Sequence, residues 1–380
     1  MKRDTQLTRA GRTHHGTRAV NPPVNRASTI LAGTAHELYN RPDGTPLYGR
    51  FGTECQNGLR AALCEMQAAD YCALAPSGLS AMSLPVIAEV SAGGHLLAAD
   101  CLYGPTRMFL EETVTRWGVD VEFFDPRIGE GIKKLVKENT QLVFCESPGS
   151  LTFEVQDIPA ICDVAHNAGA KVMVDDTWSA GLNANMLDLG ADYAAQSLTK
   201  YVGGHSDFVM GAVTARGNAA ARLKKAEWRI GMNVSSDDAF LALRGLRTLA
   251  LRMEKSAAGS ILIAKRLAQR PDVSEVLHPA LPEHPDHALY ERDFTAPAGV
   301  FAVQFPEWDL GRSEQFLDAL NVFGLGFSWG GYESLAVHCD PQLKRNHRKA
   351  RNGALIRFSI GLEDVEDLWA DIEQAIKASA

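Results

Sequence analysis

Between about residue 56 and residue 215, short apolar runs alternate with stretches of helical periodicity. The runs Tyr71–Ala75, His95–Ala99, Val119–Phe124, Leu142–Cys145, Lys171–Val174 and Tyr193–Gln196 predict strands. Strands that alternate with helices predict a mainly parallel sheet with helices packed over it, an α/β arrangement. A longer amphipathic segment follows. It opens at Asp237-Asp238 as an N-cap and repeats Phe240, Leu243, Leu246, Leu249, Ala250 and Met253 at helical spacing, which predicts one helix bridging two domains. Strand-like runs at Gly299–Phe305 and Leu355–Ile360 precede a closing helix, with Val365, Leu368, Trp369, Ile372 and Ile376 on one face behind an acidic first turn. The first residues lack periodicity and carry turn formers such as Asn21-Pro22-Pro23 and Arg41-Pro42-Asp43-Gly44, so they read as an extended arm. The expected division is an arm over 1–55 that contacts a neighbouring subunit, an α/β domain over 56–236, and a smaller α+β domain over 237–380.

A length of 380 residues favours two domains over one, because single cores stop growing near 250–300 residues. A net charge of −8 argues against a nucleic-acid partner and favours small molecules. The seven cysteines are odd in number, scattered and without a C-x-x-C pair, the pattern of reduced thiols in a cytoplasmic protein. Glu89 and His95 interrupt the best apolar stretch, so no bilayer span is predicted, and the N-terminus lacks the apolar core of a secretory signal. His14-His15, His205 and His338-Cys339 stand at no metal-binding spacing, and no metal is expected.

The most informative stretch is Lys171-Val-Met-Val-Asp175-Asp176-Thr177-Trp178, an apolar strand that ends in carboxylates. Acids at the carboxyl ends of strands face the ligand crevice of an α/β sheet. The next strand-like run closes with Ser197-Leu198-Thr199-Lys200-Tyr201, which sets a lysine beside that acid. Upstream, Ala75-Pro76-Ser77-Gly78-Leu79 turns from strand to helix and exposes backbone N–H groups that suit a phosphate. Pyridoxal phosphate needs this set: a lysine for its aldehyde, an acid for its ring nitrogen and donors for its phosphate. Alone, Asp175 reads equally as a turn residue, Lys200 as a solvated surface lysine and Ser77-Gly78 as a helix start. Their common position at strand ends, in the order phosphate turn, acid, lysine, carries the functional reading. No G-x-G-x-x-G follows the first strand, which excludes the dinucleotide-binding alternative.

These residues also carry a resemblance. The run Ser197-Leu-Thr-Lys200-Tyr, with Val174-Asp175-Asp-Thr177-Trp178, resembles the Cys/Met-metabolism family of fold-type I pyridoxal-phosphate enzymes along nearly the whole chain. Tyr48-Gly49-Arg50, Glu146-Ser147-Pro148-Gly149-Ser150, Gly245-Leu-Arg247-Thr-Leu249, Ser328-Trp329-Gly-Gly-Tyr332-Glu333-Ser334 and Arg357 through Asp364 resemble the branch that eliminates across the Cβ–S bond of cystathionine. The resemblance implies an aspartate aminotransferase-like fold with a seven-stranded type of sheet. It implies that Lys200 carries pyridoxal 5′-phosphate covalently and that Asp175 pairs with its ring nitrogen. Tyr103 would stack on the ring, while Gly78, Leu79, Ser197 and Thr199 hold the phosphate. Tyr48 and Arg50 would reach that phosphate from a neighbouring chain of a homodimer, which pairs further into a homotetramer. Arg357 would clamp the substrate carboxylate with Ser328 and Trp329 beside it. Tyr103 or Tyr48 would manage protons if a nearby cation lowers its phenol.

The expected reaction yields homocysteine, pyruvate and ammonia, a step of methionine biosynthesis, with cysteine and other cysteine S-conjugates as further substrates. The rival reactions are γ-elimination, γ-replacement and cysteine desulfhydration on the same scaffold. A catalytically silent binding relative would lack the lysine, the acid or the clamp, and this chain has all three. Asp176 replaces a common asparagine, Leu79 a frequent methionine and Phe240 a frequent tyrosine. The extra acid would perturb titration at the site if buried.

Overall fold

A computed structural model describes residues 2–12, 19–41, 48–347 and 352–380. His14-His15 and most of Arg41-Pro42-Asp43-Gly44 lie outside the described residues. Seven strands form the larger sheet: β1 (Tyr71–Ala75), β2 (His95–Ala99), β3 (Asp120–Phe124), β4 (Thr140–Glu146), β5 (Lys171–Asp175), β6 (Tyr193–Ser197) and β7 (Gly211–Ala215), in the order β1-β7-β6-β5-β4-β2-β3. Neighbours from β6 to β3 are parallel, and β7 runs antiparallel to both β1 and β6. β2 and β7 are buried at every position. Continuous apolar runs are what helices on both faces of a sheet require.

The sequence pattern missed β7, whose small residues Gly211-Ala-Val-Thr-Ala215 show no alternation. This strand fixes the geometry of one end of the sheet. Gly211 stands opposite both Ala75 and Ser197, so the ends of β1 and β6 come level across it. A Cβ at Gly211 would lie 2.4 Å from the Ser77 carbonyl oxygen, which is why the turn after β1 can sit on this strand.

The smaller sheet has the order β10-β11-β12-β9-β8, built from β8 (Glu275–Leu277), β9 (Val300–Phe305), β10 (Gly324–Leu325), β11 (Leu335–His338) and β12 (Ala354–Ser359). Phe301, Phe305, Trp308, Phe316 and Phe358 fill its core. The closing helix Val365–Ala378 buries Leu368, Ile372 and Ile376 against it, the face its periodicity predicts.

Two expectations are corrected here. The chain start is not extended: Arg3–Thr8 is a helix whose Leu7 joins the main core, because Arg3 Nη1 donates to the Leu182 carbonyl (2.8 Å) and Arg247 to that of Ala10 (3.2 and 3.1 Å). The predicted bridging helix is two helices, Ser236–Leu246 and Leu249–Ala268, and its N-cap is Ser235. The break falls where Gly245 lies against the Val202 and Gly203 carbonyls, and Arg252 of the second helix donates to the Gly245 carbonyl (2.7 Å).

A Cβ at Gly245 would stand 2.2 Å from the Val202 oxygen. Gly245→Ala is therefore expected to destabilise the protein by about 2 kcal/mol, the scale of overpacking. Urea denaturation would show this as a lower midpoint at unchanged slope, and an unchanged midpoint would contradict the contact.

Candidate active site

Lys200 sits in the tight loop after β6, and its backbone is pinned from two sides. Arg252 is buried and donates to the carbonyls of Tyr201 (2.6 Å) and Val202 (3.2 Å). Gly203 N–H donates to the Leu198 carbonyl (2.7 Å) and Gly204 N–H to that of Lys200 itself (2.8 Å). Gly204 has φ +68° and a Cβ there would lie 1.8 Å from Arg252 Nη1, so the loop passes only with glycine. The buried Tyr201 hydroxyl accepts the Gly299 N–H at 2.7 Å, tying the loop to the start of β9. Lys200 Nζ donates to Ser328 Oγ (2.9 Å) and lies 5.8 Å from the Trp329 ring centre. Burial, reinforced by Arg357, pushes its pKa down to about 8, although Asp175 works the other way.

Asp175 ends β5. Thr177 donates to its Oδ1 twice, through the backbone N–H (3.0 Å) and the hydroxyl (2.5 Å), and no cation lies within ion-pair distance among the described residues. Burial pushes the Asp175 pKa up to about 6 against those two bonds and Lys200. The Thr177 hydroxyl also accepts the Ser197 N–H (2.9 Å), which bolts the ends of β5 and β6 together.

Glu146 ends β4 directly opposite Asp175. Its Oε2 accepts the Tyr103 N–H at 2.6 Å, and burial together with Asp175 holds its carboxyl well above the ordinary range. The roles of Thr177 and Glu146 were missed from the sequence. The signal for Glu146 was available, since it is a second acid at a strand end. Asp176 is fully buried, accepts the Ser179 hydroxyl on Oδ1 and has no partner on Oδ2 among the described residues. Burial, with Asp175 alongside, pushes its carboxyl well above the ordinary range, although the Ser179 hydroxyl works the other way.

The phosphate turn is where the sequence put it. Ser77 caps the helix Gly78–Glu89 through the Ser80 N–H (3.0 Å), and Gly78 packs so closely on Ser197 that a Cβ would lie 2.6 Å from its Cβ and Oγ. The helix N-terminus, Ser197 and half-exposed Leu79 thus share one corner. The Thr199 hydroxyl is engaged with Met210, donating to its carbonyl (3.2 Å) and accepting its N–H (3.0 Å).

Arg357 comes from β12 of the other sheet. It is buried, its Nη2 donates to the Ser328 (2.9 Å) and Gly326 (3.4 Å) carbonyls, and its Nε has no partner among the described residues. Trp329 packs edge-on against Tyr201 at 5.4 Å and lines a small cavity with Glu146, Asp175, Thr177 and Arg357. Tyr103 stands at the N-cap position of the helix Gly104–Phe109 without a side-chain capping bond, and its phenol is raised by burial and by Glu146, more than Arg357 lowers it. The shift at Tyr103 runs opposite in direction to the lowering expected of a nearby cation. Tyr48 and Arg50 are not brought to Lys200 within this chain: Tyr48 bridges Thr29, and Arg50 donates to the Trp228 carbonyl (3.2 Å). A larger cavity of about 590 Å³ lies elsewhere, between the helices Arg3–Thr8 and Leu249–Ala268, and holds none of these groups.

A lysine, a buried acid without a cation, a helix N-terminus on a serine and an unpaired guanidinium match the aldehyde, ring nitrogen, phosphate and amino-acid carboxylate that a pyridoxal-phosphate enzyme must hold. Fold and site define such an enzyme, of the aspartate aminotransferase-like architecture. The chain belongs to the Cys/Met metabolism PLP-dependent enzyme family, whose model matches residues 4–377. It is 44% identical to a putative cystathionine beta-lyase of Rhizobium johnstonii, over 99% of this chain and 96% of that one. It is 37% identical to the cystathionine beta-lyase MetC of Escherichia coli, over 98% and 97%. The crystal structure of metB from Corynebacterium glutamicum superposes with a TM-score of 0.92 at 30% identity, covering 99% of this chain and 98% of that one. The cofactor is pyridoxal 5′-phosphate. Among the described residues no helix is long and apolar enough to cross a membrane.

Only a neutral amine attacks an aldehyde, so Lys200 of the cofactor-free protein should capture the cofactor faster as pH rises through about 8, then level off. Stopped-flow absorbance with added pyridoxal phosphate measures this. A rate still climbing towards pH 10 would show a lysine of ordinary basicity.

Proposed function

We propose that the protein is a carbon–sulfur lyase that cleaves the Cβ–S bond of L-cystathionine to give homocysteine, pyruvate and ammonia. The observation that carries the reading is the double use of Ser328, whose hydroxyl takes Lys200 Nζ and whose carbonyl takes Arg357 Nη2. One residue spaces the base from the carboxylate clamp, and an α-amino acid fits between them. The relatives named as cystathionine beta-lyases support the substrate.

Lys200 would hold the cofactor, Asp175 would pair with its ring nitrogen, and Gly78, Leu79, Ser197 and Thr199, the last by turning its hydroxyl from Met210, would hold its phosphate. Bound there, pyridoxal phosphate supplies an electron sink for negative charge at the substrate Cα. Arg357 takes the α-carboxylate through its free Nε and an Nη as a fork. Lys200 Nζ, its pKa near 8, takes the α-proton and is held towards that position by Ser328. The raised phenol of Tyr103 keeps its proton near neutral pH, so Tyr103 stacks on the ring and donates a hydrogen bond. Trp329 walls the carboxylate side. Tyr48 and Arg50 act across a homodimer on the partner's phosphate, and the dimers pair into a tetramer. The seven free thiols support a cytoplasmic location.

A product assay with L-cystathionine should give pyruvate and homocysteine, with loss of turnover in Lys200→Ala. Predominant 2-oxobutyrate would instead mean cleavage on the γ side of sulfur, the reaction named for a Dictyostelium discoideum relative at 32% identity. Arg357→Ala should cost about 3 kcal/mol, a fall in kcat/KM on the order of 10²-fold, because one partner of a buried charge pair is lost.

A further inference from the structure

The clamp and the cofactor wall belong to different sheets, and a short segment of the smaller unit reaches across to join them. Residues Leu343 to His347 leave the smaller sheet and lie on the loops that follow β2 and β4. Asp100, buried at the end of β2, accepts the N–H groups of Asn346 (2.7 Å) and His347 (2.8 Å) on Oδ2, while Arg107 holds its Oδ1 (2.7 Å). Arg345 Nη2 donates to the carbonyls of Ser150 (2.7 Å) and Cys101 (3.4 Å). His347 Nε2 lies 3.0 Å from the Phe123 carbonyl, and Lys344 pairs with Glu111 at 2.6 Å.

Both gripped loops reach the site. The first leads from Asp100 and Cys101 into Tyr103, whose N–H donates to Glu146 (2.6 Å), and the second, from Glu146 through Ser150, lines the small cavity directly. At its other end the segment is fixed to the strand that bears Arg357. Leu355 of β12 donates its N–H to Asp340 Oδ2 (2.7 Å) and accepts the Cys339 N–H (2.8 Å), and Leu355 stands two residues before Arg357. A continuous series of bonds therefore runs from the Arg357 strand to the Tyr103 loop.

We propose that this strap sets the separation between the Arg357 clamp and the Tyr103 wall, with Arg345 and Asp100 as positioning residues for the substrate carboxylate. The proposal rests on the reading of Arg357 as that clamp. Neither residue touches the reacting atoms. Releasing the strap should misplace the clamp and leave the Lys200 region as it is, since Lys200 is pinned by Arg252 and the glycines after it.

The test uses the pyridoxal-loaded enzyme and two ligands that cannot eliminate, glycine and methylamine, which differ by the carboxylate alone. Binding is followed by the change in cofactor absorbance in wild type, Arg345→Ala and Arg345→Lys. Arg345→Ala should weaken glycine on the order of tenfold and leave methylamine unchanged, with partial recovery in Arg345→Lys. In the cofactor-free Arg345→Ala protein, hydrogen exchange at the Asn346, His347 and Tyr103 amides should quicken. Should Arg345→Ala not fold, Arg345→Gln replaces it, because glutamine keeps one donor. Equal weakening of both ligands, or none, overturns the proposal. A wild type without preference for glycine removes Arg357 as the clamp and the strap's role with it.

Discussion

The structure depends on the burial of charges that have no opposite charge in contact. Arg357 is buried and Lys200 partly buried, both reach only neutral oxygens, and the buried Asp175 is held by Thr177 donors. Removing such groups from water costs free energy, and protein ionisable groups are normally buried in pairs. Lys200 and Asp175 accordingly shift towards their neutral forms, to about 8 and about 6. In the proposed reading the ligands would supply the missing partners: a carboxylate for Arg357, a cationic ring nitrogen for Asp175 and an aldehyde for Lys200. Strained but supported groups of this kind mark functional sites more often than structural ones.

What supports them is mostly backbone. Arg252 spends its guanidinium on the Tyr201, Val202 and Gly245 carbonyls, and Thr177 spends one hydroxyl on two strand ends. Glu146 and Asp176 show the complementary solution for acids. Two further carboxyls lie in or beside the site without a counter-cation in contact among the described residues, and burial shifts both towards the protonated form. At Asp176, in the place of the common asparagine, that upward shift and the Ser179 hydroxyl on Oδ1 lessen the charge set beside Asp175.

The parallel strands and the acid and lysine at their ends were legible because both depend on local pattern: apolar runs give buried strands, and polar residues at their carboxyl ends face the crevice. β7 was not legible, because its small residues carry no periodicity and its place is set by the close approach of Ser77 to Gly211. The helix break at Gly245 was hidden for a related reason. Its cause is the loop carrying Lys200, more than forty residues upstream, and apolar spacing runs straight through it. The direction of the Tyr103 phenol could not be read either, since it reflects burial first, and then Glu146 on another strand set against Arg357 from another sheet.

That the clamp and the base come from different sheets has a physical consequence for substrate recognition. In the proposed reading the α-carboxylate would be read by β12 and the α-proton by the loop after β6, with Ser328 as the direct bridge between them. An amino acid bound at both points adds a second bridge between the units, and its carboxylate relieves the guanidinium that folding left without an anion. The gain is confined to ligands that carry both groups at the right separation, because a ligand holding only one leaves either Lys200 or Arg357 buried and unmatched. Specificity for α-amino acids thus follows from where the two sheets meet, and selection of the leaving group is left to the parts of the cleft beyond the clamp.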